Sequence, residues 1–367
     1  MTDTQTPAPI NRLYVVAQSG TIAAYDAHAD GSLTPLPGSP YPTGAGTFAI
    51  KARPDGRVVY VAPGHGLGSR FSAHQRKSPQ LVAFRVRDDG TLQQLGAPLP
   101  LPLTPVSMDI SADGRNLYLG VGSWRAGFFK GGIAHVRLDD DGTPHLAGPP
   151  VPLGKRTDGA AQPIISPDGT HLYVASVIAK SVVRLDIRDD GSLTAPVERT
   201  KSGGVFPITP AFSADGDTLY VANEQSKSIS AFRVSPTGSL SELPSSPYPT
   251  GRIPHNPALT PDGRYVYFAN TLSNTVTGYE IQSDGALAPV PGSPFATGVG
   301  PATSTISSNG EWLYLVSSPA FGKERPVDIT TWRIQPDGGL VRSAHEPVPT
   351  GQQFADGPSA IVLPAGG

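Results

Sequence analysis

Between Ala211 and Gly251 the chain reads AFSADGDTLYVANEQSKSISAFRVSPTGSLSELPSSPYPTG, and its apolar positions fall into short runs cut by turn residues. Ala211-Phe-Ser213 ends one apolar run, and Ala214-Asp-Gly216 turns it. Thr218–Asn223 then sets Leu219, Tyr220, Val221 and Ala222 side by side, the pattern of a strand buried on both faces. Ser228–Val234 alternates Ile229, Ala231 and Arg233 against Ser230, Phe232 and Val234, turns at Pro236-Thr237-Gly238 and leads to a more polar strand from Leu240. No stretch longer than a turn sustains the 3.6-residue spacing of a helix. Four such strands make one antiparallel meander, too small to bury its own faces, so it must stack on copies of itself.

The copies are present. Thr260-Pro-Asp-Gly-Arg-Tyr-Val-Tyr267 begins the next, and Tyr220 to Tyr267 is 267 − 220 = 47 residues. Equivalent tyrosines stand at Tyr14, Tyr60, Tyr118, Tyr173 and Tyr314, which makes seven copies. The expected fold is all-β: a seven-bladed β-propeller of four-stranded antiparallel blades. Arg12-Leu-Tyr-Val15 is already a second strand, with no first strand before it. Pro358–Gly366 matches the first strands at Pro105–Gly114 and Pro301–Gly310, so Ser359–Leu363 is expected to pair beside Leu13–Val16 and close the ring. Residues 1–10 read as a poorly ordered tail and 11–367 as a single domain.

Composition changes the picture in few places. The 42 Gly and 40 Pro would suggest disorder, but most sit at fixed offsets in the repeat and are turn residues. A formal net charge of −2 speaks against a general nucleic-acid or anionic-membrane binder. With no cysteine there is no disulfide or thiol chemistry. The start, MTDTQTPAPI, lacks a basic segment followed by an apolar core, and no run approaches membrane-spanning length; a cytoplasmic location is expected. The expected state is a monomer or weak dimer without cofactor or metal.

Elaboration sits in the connection after the tyrosine strand, which is lengthened around Gly64–Ser78, Ser123–Gly131 and Ser317–Pro326. These loops and the inter-blade connections share one face, the top; the tight Pro-Asp-Gly and Asp-Gly turns lie on the bottom. Asp30, Asp55, Asp89, Asp113, Asp141, Asp168, Asp190, Asp215, Asp262, Asp284 and Asp337 belong to the bottom turns, where Asp hydrogen-bonds the turn backbone. The top loops hold Arg70, Arg76, Lys77, Arg125, Lys130, Lys155, Arg156, Arg252, Lys323 and Arg325 against Glu224, Glu324, Asp158 and Asp356. A positive top mouth and a negative bottom face are therefore expected, and an anionic small molecule as ligand.

Tyr220-Val-Ala-Asn223, Ser228–Val234, Gly238-Ser-Leu240 and Pro247-Tyr-Pro-Thr-Gly251 resemble the seven-bladed lactonase family, which includes bacterial 6-phosphogluconolactonase and is related in fold to fungal carboxy-muconate cyclase. The resemblance covers nearly the whole chain and implies the propeller fold, with a site in the inter-blade loops and following strand ends. Where the family tends to have Pro-Arg-His, this chain has Pro207-Ile208-Thr209; a His-Pro-His pattern aligns with Ala160-Ala161-Gln162. Asn223-Glu224 is kept, and Pro254-His255-Asn256 keeps one imidazole with Arg252 nearby. The scaffold is shared and the site is rebuilt.

Glu224 and His255 are accordingly the candidate acid–base residues, placed by the topology on adjacent blades at one level. Arg156, Arg252 and Arg125 are the candidate cations, and Trp124, Phe206 and Phe354 the candidate apolar walls. Asn223, Asn256, Asn270 and Gln162 are the candidate polar contacts. Trp124, Phe128 and Phe129 equally suit ordinary loop packing, and His65 with His74 lacks the acidic partner a metal site wants. Gly64–Ser69 does not lead from a strand into a helix, so it is no phosphate cradle, and no Gly-x-Ser-x-Gly elbow supplies a nucleophilic serine. Three function classes follow: an enzyme opening or closing an anionic lactone or related ring by hydrolysis or proton transfer, a non-catalytic ligand-binding propeller, and a protein-interaction platform. The enzyme is the favoured one, because the lengthened top loops carry aromatics and cations.

Overall fold

The structure is a computed structural model that describes residues 8–17, 19–44, 46–63, 79–123, 130–154, 161–298, 300–317, 326–353 and 359–366. Among these, every regular element is a strand, and the strands form seven antiparallel sheets. The sheets are the predicted blades. The inner strands are Thr47–Ala52, Thr104–Ile110, Ala161–Ile165, Pro207–Phe212, Pro254–Leu259, Pro301–Ile306 and Ser359–Pro364, in blades 2 to 7 and then blade 1. Each touches the next, and the last touches the first, so they surround a channel. In five blades the outer strand comes as two short pieces, such as Leu240–Glu242 and Tyr248–Pro249, both pairing with the third strand.

Ring closure is as the sequence implied. Ser359–Pro364 pairs antiparallel with Asn11–Val16, from Val16↔Ser359 to Asn11↔Pro364. Asn11 fastens the same seam, its amide donating to Ser308 Oγ (2.7 Å) and its Oδ1 accepting from Ser308 N–H (3.1 Å). Ile10, expected in a loose tail, belongs to the blade edge: its N–H donates to Ala27 O (2.8 Å), and Ala365 N–H donates to its carbonyl (3.1 Å).

The core lies between blades rather than at one centre. Seven buried clusters join neighbouring sheets, one cluster to each interface. Alternation in the second strand does this: Tyr220 and Ala222 pack toward blade 6, while Leu219 and Val221 pack toward blade 4. All seven repeat tyrosines are fully buried, and the hydroxyls of six of them reach the next blade. Tyr14 donates to Gly90 O (2.8 Å), Tyr60 to Gly142 O (2.7 Å) and Tyr118 to Gly191 O (2.7 Å). Tyr173 donates to Gly238 O (2.6 Å), Tyr220 to Gly285 O (2.9 Å) and Tyr267 to Gly338 O (2.8 Å). Burial pushes the Tyr173 hydroxyl up to about 12, so it stays protonated and keeps donating. The accepting glycine has two reasons to be glycine: Gly285 has φ +82°, and a Cβ there would meet Thr218 Oγ1 at 2.1 Å.

Arginines cross the same gaps on the bottom side. Arg53 donates to Asp140 O (2.8 Å) and Arg137 to Asp190 O (3.0 Å); Arg12 reaches Asp88 O, Arg184 Thr237 O and Arg233 Asp284 O. A bottom cleft between blades 1, 2 and 3 has Arg12, Arg53, Arg57, Arg85 and Arg87 on its walls against Asp55, Asp88, Asp140 and Asp141. The expected one-signed acidic lower face does not hold there: arginines bridge the blades and balance the turn aspartates.

Candidate functional site

A cavity of about 510 Å³ opens in the channel and takes residues from all seven inner strands. Val177, Phe206 and Glu224 join it from the loops above. Register fixes the levels. Lys51, Asp109 and Ile361 pair directly with Tyr60, Tyr118 and Tyr14, whereas Gln162, Ser107, Thr303 and Ser359 pair two residues above their blade's tyrosine. The inner strands of blades 5 and 6 are irregular at that upper level, between Ile208 and Ala211 and between His255 and Ala258. The extra residue brings both His255 and Asn256 to the cavity, and likewise Ile208 and Thr209. Ser107, Gln162, Thr209, Asn256, Thr303 and Ser359 thus give six of the seven blades a hydroxyl or amide at the upper level.

The irregular strands depend on an uncommon backbone. Phe206 (φ 65°) and Thr209 (φ 41°) in blade 5 repeat as Ile253 (φ 56°) and Asn256 (φ 24°) in blade 6. Positive φ at β-branched Thr209 and Ile253 costs on the order of 1–3 kcal/mol each, and such strain collects where side chains are aimed at a site. It falls on the two blades that supply Glu224 and His255.

Those two side chains meet. His255 Nε2 lies 2.9 Å from Glu224 Oε1, and both side chains are 17% exposed. On the other side of the ring, Nδ1 is 3.1 Å from Ala302 O and 3.4 Å from Thr271 Oγ1. A carbonyl only accepts, so Nδ1 carries a hydrogen and donates to Ala302. Thr271 in turn donates to Pro301 O (2.9 Å). One proton therefore lies between Nε2 and Glu224, and both ring nitrogens are engaged. Glu224 Oε2 has no partner among the described residues, and Glu224 lines the cavity.

The other expected site residues divide. Gln162, Phe206 and Asn256 line the cavity with Glu224 and His255. Gln162 Oε1 accepts from Thr209 N–H, leaving its amide nitrogen for the channel, and Asn256 donates to Thr303 Oγ1 (2.7 Å). Asn223 and Asn270 do not reach the channel. Both are 0% exposed and turned into their blades, because the adjacent loop glycines leave them the space: a Cβ on Gly204 would meet Asn223 Cγ at 2.3 Å, and one on Gly251 Asn270 Cβ at 2.5 Å. Asn223 donates to Ser230 Oγ (2.9 Å), and Asn270 accepts from Thr250 Oγ1 (2.8 Å) while donating to Thr277 Oγ1 (2.8 Å). Arg252 is exposed and off the cavity wall. Arg125, Arg156, Trp124 and Phe354 lie outside the described residues, as do Phe128, Phe129, His65 and His74.

Two charged wall residues were not anticipated. Lys51 Nζ and Asp109 Oδ1 are 3.0 Å apart in the cavity. Sequence held a signal for them: five residues before the turn glycine the copies read Ala211, Ile164, Ala258, Thr305 and Ile361, so Lys51 and Asp109 are the charged exceptions. Among the described residues the wall carries Lys51 as its one Lys or Arg, beside Asp109 and Glu224; most of the cations expected at the top mouth lie outside the described residues. No group of three His, Cys, Asp or Glu among the described residues has metal-site geometry.

Fold and cavity together define a seven-bladed β-propeller with a cavity of about 510 Å³ in its channel. Residues 147–252 match the family model described as lactonase, 7-bladed beta-propeller. The chain is 31% identical over 157 residues to a 6-phosphogluconolactonase of Cronobacter sakazakii, covering 42% of this chain and 40% of the relative. It is 27% identical over 197 residues to a 6-phosphogluconolactonase of Enterobacter sp., covering 52% and 51%. These alignments span about half or less of the curated relatives. The fold is similar to that of the Pseudomonas aeruginosa periplasmic gluconolactonase, with a TM-score of 0.76, 19% identity and coverage of 97% and 99% of the two chains. Over residues 147–252 the chain is thus similar to the seven-bladed lactonase propellers, and over nearly its whole length it shares their fold.

Proposed function

We propose that this protein hydrolyses a lactone in the upper part of its channel, with Glu224 as general base and His255 as its positioning partner. The observation that carries the reading is the 2.9 Å contact between Glu224 and His255 on adjacent blades, at the wall of a cavity sized for a small molecule. His255, with both nitrogens engaged, orients the carboxylate and balances its charge; Glu224 keeps Oε2 for water. In the reaction Oε2 takes a proton from the attacking water, whose oxygen bonds to the lactone carbonyl carbon. The ring C–O bond then breaks, and the proton passes from Glu224 to the departing ring oxygen, leaving a hydroxy acid. Gln162 and Asn256 are placed to hydrogen-bond the substrate, and Phe206 supplies apolar wall. The curated relatives' name, 6-phosphogluconolactonase, supports a sugar lactone as the substrate class.

The test is turnover of glucono-δ-lactone and its 6-phosphate by the wild type, Glu224→Gln and His255→Phe. Glu224→Gln is expected to lose about 10²–10⁴-fold in rate with the fold intact. His255→Phe, acting through Glu224, should lose less than Glu224→Gln does. Near-native turnover by folded Glu224→Gln would place the chemistry elsewhere.

A further inference from the structure

The cavity continues below the Glu224–His255 pair. His255 pairs with Ala269, two residues above Tyr267, whereas Lys51 and Asp109 pair with Tyr60 and Tyr118 themselves. At strand rise, two residues place this second pair about 7 Å further down the channel. It is also on the far wall: blades 2 and 3 lie across the seven-membered ring from blades 5 and 6.

The two partners are held unequally. Asp109 is 16% exposed, and its second oxygen accepts from Ile165 N–H of blade 4 (2.9 Å), so it is fixed from both sides. Lys51 is 45% exposed and its ammonium has three donors, with one contact among the described residues, to Asp109 (3.0 Å). It is the one Lys or Arg on the described cavity wall. The neighbouring wall at this level, Ala211, Ala258 and Ile164, offers no competing charge. A fixed carboxylate holding a half-exposed ammonium at the edge of a cavity is a parked cation: it remains neutralised until an incoming anion shares it.

We propose that Lys51 is the specificity residue of the channel, binding the terminal phosphate or carboxylate of a substrate whose lactone carbonyl is presented to Glu224, and that Asp109 tunes that affinity by competing for the ammonium. This rests on the lactonase reading for the orientation of the ligand. It moves the anion contact from the top loops to the lower channel.

Calorimetric titration of the full chain with 6-phosphogluconate, glucarate and gluconate tests it, using wild type, Lys51→Met, Lys51→Arg and Asp109→Asn, each checked for an unchanged melting curve. Wild type should bind at least one doubly acidic probe about tenfold or more tighter than gluconate. Lys51→Met should bring that ratio near one with gluconate affinity unchanged, Lys51→Arg should keep most of it, and Asp109→Asn should raise it severalfold. Phosphate and carboxylate sources are told apart by which doubly acidic probe Lys51→Met affects. A ratio unmoved by Lys51→Met, equal-sign shifts in Lys51→Met and Asp109→Asn, or no binding of either doubly acidic probe to wild type would overturn the proposal. Binding needs no turnover, so an intact lactonase with an unmoved ratio sinks the anchor alone, and an inactive protein with the Lys51 effect sinks the hydrolase alone.

Discussion

One hydroxyl separates the seventh tyrosine from the other six. Tyr314 is fully buried like its counterparts, but its hydroxyl has no hydrogen-bond partner among the described residues. At this interface Trp312 packs against Gly31 and its Nε1 donates to Ala29 O (3.1 Å), so the indole takes over the link to blade 1. The same substitution should therefore differ in sign between copies. Tyr220→Phe removes a bond and strands the Gly285 carbonyl, a loss of about 1–2 kcal/mol. Tyr314→Phe removes only an unpaired polar group and should leave stability unchanged or raised. Urea denaturation of the two variants checks this, and equal destabilisation would refute the latch.

The bottom turns are the elements on which blade geometry depends, and their carboxylates carry a pH signature. Ser32, Thr91 and Ser213 hydroxyls, together with the turn backbone N–H groups, donate to Asp30, Asp89 and Asp215. These bonds hold all three carboxyls below the usual value of 3.8. A folded value lowered below the unfolded one stabilises the fold fully above the unfolded value, and that contribution is lost as pH falls through the folded one. Asp215→Ala should accordingly lower the melting temperature at pH 7, and by less at an acid pH below the lowered folded value, where the wild-type carboxyl is itself protonated. A deficit of equal size at both pH values would mean that the turn works through packing alone.

At the scale of the molecule, stability rests on closure. Each interface cluster needs both of its blades, and blade 1 owes its inner strand to residues 359–364. Deleting residues 359–367 would uncover one edge of the Asn11–Ala17 strand and part of the channel wall, an edge prone to pairing with other chains. The truncated protein is expected to aggregate or melt well below the full chain, as size-exclusion chromatography and thermal denaturation would reveal. An unchanged elution volume and melting temperature would show that the ring tolerates an open seam.

Period and alternation were enough to specify seven blades, the bounds of strands such as Thr218–Asn223 and Ser228–Val234, and the return of Ser359–Leu363 to Leu13–Val16. All three follow from local chemistry, since turn residues recur at fixed offsets and a strand buried on both faces must be apolar throughout. The juxtaposition of Glu224 and His255 was also within reach, because consecutive blades repeat one path around one axis. Which way a polar side chain turns was not. Asn223 and Glu224 are neighbours in sequence, yet one closes a loop inside blade 5 and the other faces the channel, a choice made by the space that Gly204 leaves. Asp109 stands out in the sequence as a charge in an inner strand, but only the packing of consecutive blades sets it against Lys51 of the preceding blade and Ile165 of the next. Repetition determines the path of the backbone; contacts between residues far apart in the chain decide which side chains share the cavity, because those contacts exist only once the last strand has met the first.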